Sequence, residues 1–282
     1  MKTSGADPID VALREDIGGG DITTDSFVSK NARSAARIVA RERAVVAGTG
    51  TVAEVFRRVD SALQVRVIGK DGREVNAGDN VIEVAGFTRS ILKAERVALN
   101  FLQRLSGIAT TTRKFVDAAA NEHVKILDTR KTTPGLRALE RAAVVAGGGA
   151  NHRFGLFDMV LIKDNHLAAI TGFEELAKAI RKFRETRADI QVEVEADTLD
   201  QVHGFLQIDG IDVILLDNMK PAEIREAVAL GKNKVKFEAS GGITLKNIRR
   251  VAATGVDFIS IGALTHSPRA IDFSLELTDA GA

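Results

Sequence analysis

The sequence predicts an α/β protein with an N-terminal α/β sandwich domain and a C-terminal incomplete α/β barrel of six strands. Up to about residue 107, short β-type segments and turn signals precede one long apolar helical pattern. After that point, short apolar runs alternate with helical patterns, which is typical of a parallel sheet covered by helices. Because 45% of the 282 residues are hydrophobic, the chain can bury two cores.

The N-terminal part combines strand and helix signals. Residues 36–48 contain short apolar runs suited to strands, and residues 70–86 have β-rich ends with two turn signals, which predicts a set of hairpins. The apolar spacing in residues 90–107 predicts a largely buried helix that begins at a Ser cap and ends at Gly107.

The C-terminal part contains six apolar β-type runs. They read VKILD, DMVLIKD, IQVEVE, VILLD, VKFEAS and FISIG. Six strands are too few for a complete eight-stranded barrel, so an incomplete barrel is the first interpretation. A doubly wound open sheet is the alternative, and it would place ligands at the same strand ends.

Each of these strands finishes in polar or small residues. They are Asp128, Lys163 with Asp164, Glu195, Asp217, Ser240 and Gly262. The carboxyl ends of parallel barrel strands meet on one rim, where reactive groups collect. We therefore expect the functional site on this rim.

A group of cations lies near two of the strand ends. Its members are Arg130, Lys131, His152, Arg153 and Lys163. On one rim they could hold a multiply charged small anion through charge-assisted hydrogen bonds. The net charge of only +1 disfavours a nucleic-acid partner. Arg137 and Arg141 are interpreted as ordinary charges on a helix.

Glu195 and Asp217 terminate two neighbouring apolar strands. One interpretation is that they bind ribose hydroxyls and a hydrated Mg²⁺ ion, which prefers oxygen ligands, and stabilise positive charge on a sugar carbon. The alternative is a simple ion pair with a rim lysine. Glu193 lies two positions before Glu195, and we expect one of the two to face away, without knowing which.

A Ser-Gly-Gly turn at Ser240, Gly241 and Gly242 is predicted to open a helix. Such a turn presents backbone N–H groups and a helix dipole to an anion. Gly262 and His266 follow the next strand, and the last two loops of barrels often form a phosphate site.

Other features limit the cellular setting. The chain has no cysteine, so disulfides, thiolate zinc sites and a Cys nucleophile are excluded. The polar start of the sequence does not resemble a signal peptide, and no apolar stretch is long enough to span a membrane. We expect a cytoplasmic protein.

Several segments together resemble the quinolinate phosphoribosyltransferase family over nearly the whole chain. They are EDIGGGDITT, LNFLQRLSGIAT, ILDTRKTTPGLR, GGGANHRFGLFDMVLIKDNH, VEVE, VILLDN and EASGGI. The resemblance implies a pentosyltransferase that joins quinolinate to phosphoribosyl pyrophosphate. The products are nicotinate mononucleotide, CO₂ and pyrophosphate, on the de novo route to NAD.

The resemblance also implies roles for individual residues. The quinolinate pocket would comprise Thr129, Arg130, Lys131, His152, Arg153 and Lys163. Arg96 would reach the site of the partner subunit in a homodimer, with higher homo-oligomers left open. Glu195 and Asp217 would bind Mg²⁺ and act in catalysis together with Lys131. Ser240, Gly241, Gly242, Gly262 and His266 would bind phosphate.

The implied domains are residues 1–107, joined by the C-terminal tail 268–282, and residues 108–267 for the barrel that carries the active site. The sequence is compatible with two alternatives. One is a paralogous phosphoribosyltransferase-like protein that uses a different aromatic acid. The other is a non-catalytic regulator that binds a nucleotide.

Overall fold

The structure is a computed structural model that describes residues 7–278. The helices are α1 Pro8–Ile17, α2 Ile22–Phe27, α3 Thr49–Val59, α4 Thr88–Ala119, α5 Arg137–Ala146, α6 Asp164–Leu167, α7 Gly172–Thr186, α8 Leu199–Phe205, α9 Pro221–Gly231, α10 Ile248–Ala252 and α11 Ala263–His266. The strands are β1 Arg33–Ala40, β2 Ala44–Val45, β3 Gln64–Val67, β4 Glu74–Val75, β5 Asn80–Phe87, β6 Lys125–Leu127, β7 Val160–Ile162, β8 Val192–Ala196, β9 Val213–Asp217, β10 Lys236–Ser240, β11 Phe258–Ser260 and β12 Phe273–Thr278.

The described residues form two compact units. The first comprises residues 7–113, 132–148 and 264–278, and the second comprises residues 114–131 and 149–263. No helix among residues 7–278 is long and apolar enough to cross a membrane.

The first unit contains an antiparallel sheet in the order β12-β1-β5-β3 and a two-stranded sheet of β2 and β4. The predicted turns at Gly72 and Gly78 are present, and both glycines have a positive φ. The predicted hairpins are wrong, because β4 pairs with β2 while β5 pairs with β1 and β3. Turn residues indicate where the chain reverses, but they do not decide which strands become neighbours.

Helices α3 and α4 cover this sheet and enclose its core, which confirms the predicted N-terminal α/β domain. Ile38 and Ile82 of the sheet pack in one buried cluster with Phe56 of α3 and with Ile91 and Leu102 of α4. Helix α5, also in this unit, confirms the interpretation of Arg137 and Arg141 as helical residues.

Helix α4 starts two residues before the predicted Ser cap and continues through Gly107 to Ala119, so its predicted end is wrong. Gly107 serves close packing instead. A Cβ atom on it would lie 2.3 Å from the backbone oxygen of Arg269. Glycine here lets the C-terminal segment pass directly over the helix.

The second unit contains the six predicted strands in one parallel sheet, in the order β6-β11-β10-β9-β8-β7. The first strand pairs with the last, as in a closed barrel, and each other pair is consecutive in the chain. A doubly wound sheet would instead reverse its winding at an inner strand. The incomplete barrel is therefore confirmed, and its open side lies between β6 and β7.

The chain segment before β7 borders this open side. Ala150 forms a parallel bridge with Leu127, and the amide of Ala150 donates to the oxygen of Ile126. The segment thus adds a short extension to the free edge of β6 and carries residues 151–153 towards the sheet interior.

Because Gly107 touches backbone, we predict that Gly107→Ala lowers the free energy of unfolding by about 1–3 kcal/mol through overpacking. Gly50→Ala is the matched control. Gly50 also lies in a helix, but its added Cβ would meet nothing within 4 Å. Replacing an unpacked helical glycine by alanine stabilises by up to about 1 kcal/mol. Urea denaturation measures both variants, and equal effects would contradict the packing role of Gly107.

Candidate active site at the carboxyl ends of the barrel strands

The predicted rim residues lie at the carboxyl ends of one sheet. Thr129, Arg130 and Lys131 follow β6, and Lys163 follows β7. Glu195 and Asp217 lie near the ends of β8 and β9. Ser240 ends β10, and Gly262 follows β11. Parallel pairing of these six strands collects the corresponding loops on one side of the second unit.

An acidic cluster occupies the exits of β8 and β9. Carboxylate oxygens of Glu195, Asp197 and Asp217 lie within 4.8 Å of one another. Sequence reasoning missed Asp197. Its position two residues after Glu195 was a usable signal, because residues two apart in a strand point to the same side.

Lys163 contacts this acidic cluster. Its Nζ lies 3.2 Å from Oε2 of Glu195. The ion pair with a rim lysine, considered above as the alternative role of Glu195, is thus present. Because Lys163 remains about half exposed and Glu195 is buried, the ammonium group stays accessible to an incoming anion.

Two guanidinium groups approach each other on the side of β6. Burial lowers the pKa of Arg153, and the positive charge of Arg130 lowers it further. Two neighbouring like charges attract an anion that can neutralise both. Beside them, the Thr129 hydroxyl oxygen accepts the backbone N–H of Lys131 at 3.1 Å, which shapes the turn that carries Lys131.

Glu193 and Glu195 point into the same side of the sheet, so the expectation that one of them faces away was wrong. Alternation has a period of two, and these residues are two positions apart. Both are buried. They differ in depth along β8: Glu195 meets Lys163, whereas Glu193 meets His152.

His152 lies between two buried carboxylates inside the sheet. Its Nε2 is 3.1 Å from Oε2 of Glu193 and 3.4 Å from Oε2 of Glu238. Its Nδ1 accepts the backbone N–H of Arg153 at 2.7 Å. The backbone N–H of His152 itself donates to Oδ1 of the buried Asp128 at 2.8 Å. Sequence reasoning named neither Glu238 nor Asp128 as a partner of His152.

These contacts shift two pKa values upward. Burial alone lowers the pKa of His152, but Glu193 and Glu238 outweigh it and raise the pKa to about 10. Burial and the charge of Glu238 raise the pKa of Glu193 to about 7. Both shifts mean that the cluster readily takes up a proton. Because Nδ1 already accepts an N–H group, that proton is better placed on Glu193 than on Nδ1.

The Ser-Gly-Gly turn lies where predicted, but it does not open a helix. Helix α10 begins only at Ile248 and has five residues, so the predicted helix-dipole contribution is wrong. Gly241 and Gly242 both have a positive φ. A Cβ atom on Gly241 would lie 2.2 Å from Oδ1 of Asn218, so this turn packs tightly against the exit of β9.

Arg96 and His266 belong to the other compact unit. Arg96 is an exposed residue of α4. His266 ends α11, and its Nδ1 lies 2.6 Å from the Ser267 hydroxyl oxygen.

The chain matches two family descriptions in tandem. Residues 21–106 match the "Quinolinate phosphoribosyl transferase, N-terminal domain", and residues 108–276 match the "Quinolinate phosphoribosyl transferase, C-terminal domain". A "Probable nicotinate-nucleotide pyrophosphorylase [carboxylating]" of Bacillus subtilis is 44% identical, over 94% of this chain and 90% of that protein. A mitochondrial "Quinolinate phosphoribosyltransferase [decarboxylating] 2" of Nicotiana glauca is 41% identical, over 95% and 80%.

Solved structures resemble the same chain. The nicotinate-nucleotide pyrophosphorylase of Francisella tularensis is 40% identical, with a TM-score of 0.88 and coverage of 96% of this chain and 94% of that one. The nicotinate-nucleotide pyrophosphorylase of Ehrlichia chaffeensis is also 40% identical, with a TM-score of 0.89 and coverage of 99% and 100%.

The raised pKa values around His152 predict a pH dependence of stability. The folded protein holds a proton that the unfolded chain releases above the usual histidine pKa of 6.5. A second proton, on Glu193, is released by the unfolded chain near pH 4.5 and by the folded protein only near pH 7. The stability that these two protons contribute is therefore fully present below about pH 4.5 and is lost as pH rises from there towards 10, by at most about 1.4 kcal/mol per pH unit for each proton. Urea denaturation across this range measures the slope. Glu238→Gln should flatten it, and an unchanged slope in that variant would contradict the assignment.

Proposed function

Because this chain belongs to the quinolinate phosphoribosyltransferase family, it transfers the phosphoribosyl group of phosphoribosyl pyrophosphate to quinolinate with loss of CO₂, and we propose which residues perform each part. The observation that carries the assignment is charge placement. Cations and carboxylates lie at the carboxyl ends of the same six-stranded sheet.

Quinolinate carries two carboxylates, which suit the cationic side of the rim. Arg130, Lys131 and Arg153 would bind them by charge-assisted hydrogen bonds, and planar guanidinium groups pair well with carboxylates. The depressed pKa of Arg153 supports this role, because an anion between Arg130 and Arg153 relieves their repulsion. Thr129 supports the turn that carries Lys131.

The carboxylates of β8 and β9 suit the ribose and a metal ion. Glu195, Asp197 and Asp217 supply clustered oxygen ligands, the type that Mg²⁺ prefers. They would hold Mg²⁺, which when bound neutralises charge on the departing pyrophosphate. Lys163 would remain paired with Glu195 and face the substrates with its exposed ammonium group.

The Ser240-Gly241-Gly242 turn and Gly262 would bind phosphate. Two consecutive glycines with a positive φ expose backbone N–H groups without side chains in front of them. His266, which follows Gly262 by four residues in the sequence, is a further candidate donor to phosphate.

During the reaction, the bond between ribose and pyrophosphate breaks and the sugar carbon becomes positively charged. Glu195 and Asp217 stabilise that charge, while Arg130, Lys131 and Arg153 hold the quinolinate nitrogen in line to attack. Loss of CO₂ then leaves an electron pair on the ring carbon beside the cationic nitrogen, and that carbon takes up a proton.

We also propose a homodimer in which the exposed Arg96 contributes to the quinolinate pocket of the partner subunit. Its exposure on α4 supports such a role. The lack of cysteine supports a cytoplasmic location.

With Mg²⁺, the purified chain should release pyrophosphate and CO₂ from quinolinate and phosphoribosyl pyrophosphate, and EDTA should stop both. Lys131→Ala and Arg153→Ala should each weaken quinolinate binding by about 2–5 kcal/mol, a factor of about 30 or more in KM. A coupled pyrophosphate assay with varied quinolinate measures this.

Two controls accompany these variants. Arg57→Ala removes an exposed arginine of α3 and should leave both KM values unchanged. Nicotinate, with one carboxylate, should be a poor substrate. Near-normal turnover of quinolinate by both pocket variants would reject the pocket, and preferential turnover of nicotinate would reject the substrate.

A mixed dimer tests whether Arg96 acts in trans. Co-expression of an Arg96→Ala chain with a Lys131→Ala chain should give heterodimers with one intact site and about half the wild-type activity. Each homodimeric variant should be strongly impaired. Two affinity tags isolate the heterodimer, and activity no higher than that of the homodimers would mean that Arg96 acts within its own chain.

A further inference from the structure

Two acids inside the barrel, Glu193 and Glu238, are outside the roles assigned so far. We infer that they are positioning residues for quinolinate: they hold the His152 ring inside the sheet, and the ring holds the backbone of Arg153. The inference rests on the proposed function, in which Arg153 binds a quinolinate carboxylate.

Both ring nitrogens of His152 have partners within the second unit. Nε2 faces the two carboxylates at 3.1 and 3.4 Å, and Nδ1 accepts the amide of Arg153 at 2.7 Å. With Nδ1 accepting, the ring proton is on Nε2, the nitrogen that lies within 3.1 and 3.4 Å of the two acids. His152 therefore acts on the substrate through Arg153, whose backbone it fixes.

A third acid, Asp128, helps to hold the backbone of this segment. The amide of His152 donates to Oδ1 of Asp128, which is fully buried at the exit of β6. Consecutive amides of His152 and Arg153 are thus held from two directions, one by Asp128 and one by the ring. These two hydrogen bonds constrain the position of the Arg153 backbone and therefore of the base of its side chain.

The strand positions of the two acids explain why they meet. Glu193 lies on β8 and Glu238 on β10, with β9 between them. Val213 of β9 pairs with Glu193 of β8 on one side and with Lys236 of β10 on the other. Glu238 therefore lies two residues further along β10 than the residue that is level with Glu193. Barrel strands tilt with an offset of about one residue per strand, and side chains of alternate strands share an interior layer. His152 enters this layer from the open side between β6 and β7.

A contribution to the stability of the fold does not explain why Glu193 and Glu238 are acidic. Each is only 1% exposed. Among the described residues, both oxygens of Glu193 and Oε1 of Glu238 lack a well-aligned hydrogen bond. Buried carboxylates are unfavourable unless they are well paired, and apolar residues of similar volume often stabilise more. Their use is to orient a donor, which an apolar layer cannot do.

A divalent cation bound by His152, Glu193 and Glu238 is the competing explanation, because their ligand atoms lie within 4.8 Å. A histidine that binds metal through Nε2 normally donates its Nδ1–H to an acceptor. Here Nδ1 faces an N–H donor instead. The geometry therefore favours positioning over metal binding.

The test is a double-mutant cycle on the full-length enzyme. Glu238→Gln should raise the KM for quinolinate about tenfold and leave the KM for phosphoribosyl pyrophosphate within about twofold. In an Arg153→Ala background, the same substitution should change the quinolinate KM less than about twofold, because its effect passes through Arg153. Glu193→Gln should behave like Glu238→Gln.

Asp212→Asn is the matched control for damage to the fold. Asp212 lies at the opposite end of the strands, where Oδ2 accepts the amide of Val192. This variant should lower Tm without changing either KM. If Glu238→Gln lowers only Tm, or acts equally in the Arg153→Ala background, the positioning role is overturned.

Two further results would show whether the pocket assignment of Arg153 fails or whether the inner cluster binds a metal ion. If Arg153→Ala itself leaves the quinolinate KM unchanged, the pocket assignment of Arg153 fails, and the positioning role fails with it. Metal content after equilibration with Mn²⁺ decides the competing explanation. An ion that is retained by Asp217→Asn but lost in Glu238→Gln would overturn positioning in favour of metal binding.

Discussion

A parallel sheet of six strands in which the first pairs with the last leaves its interior open between β6 and β7, and the site depends on how that opening is filled. The segment before β7 fills it. Ala150 extends the edge of β6, and His152 inserts its ring between Glu193 and Glu238. The next residue, Arg153, lies near enough to Arg130 for the positive charge of Arg130 to lower the pKa of Arg153. A complete barrel would close this gap with strands and leave no room for the insertion.

The charges divide by depth. Buried carboxylates of β8 and β10, and one that follows β6, line the interior beside His152, whereas the rim cations Arg130, Lys131 and Lys163 are exposed and Arg153 is half-buried. This division is unfavourable in the absence of ligands, because Arg130 and Arg153 repel each other and the inner acids are poorly paired. The burial of an apolar core that includes Phe205, Ile214 and Phe237 offsets this unfavourable electrostatic free energy. Charged side chains that are already in position bind an anion without having to reorganise around it.

Sequence reasoning located the six strands and the polar residues that end them. It failed where glycine or turn signals were expected to decide local structure. Gly107 does not end α4, because the intrinsic penalty of one glycine, about 1 kcal/mol, is small against the packing of a 32-residue helix. Gly242 does not begin a helix either. The strand neighbours of β4 and β5 were also wrong, since pairing depends on segments distant in the chain.

By itself, the sequence determined the alternation of apolar strands with helices, and hence that residues such as Lys131, Glu195 and Asp217 share one rim. That follows because periodicity is local and parallel strands all end on the same side. Only the tertiary structure decided which side of the barrel stays open, that His152 turns inward to Glu193 and Glu238, and that Asp197 joins Glu195 and Asp217. These features arise from contacts between residues tens of positions apart, which no local pattern encodes.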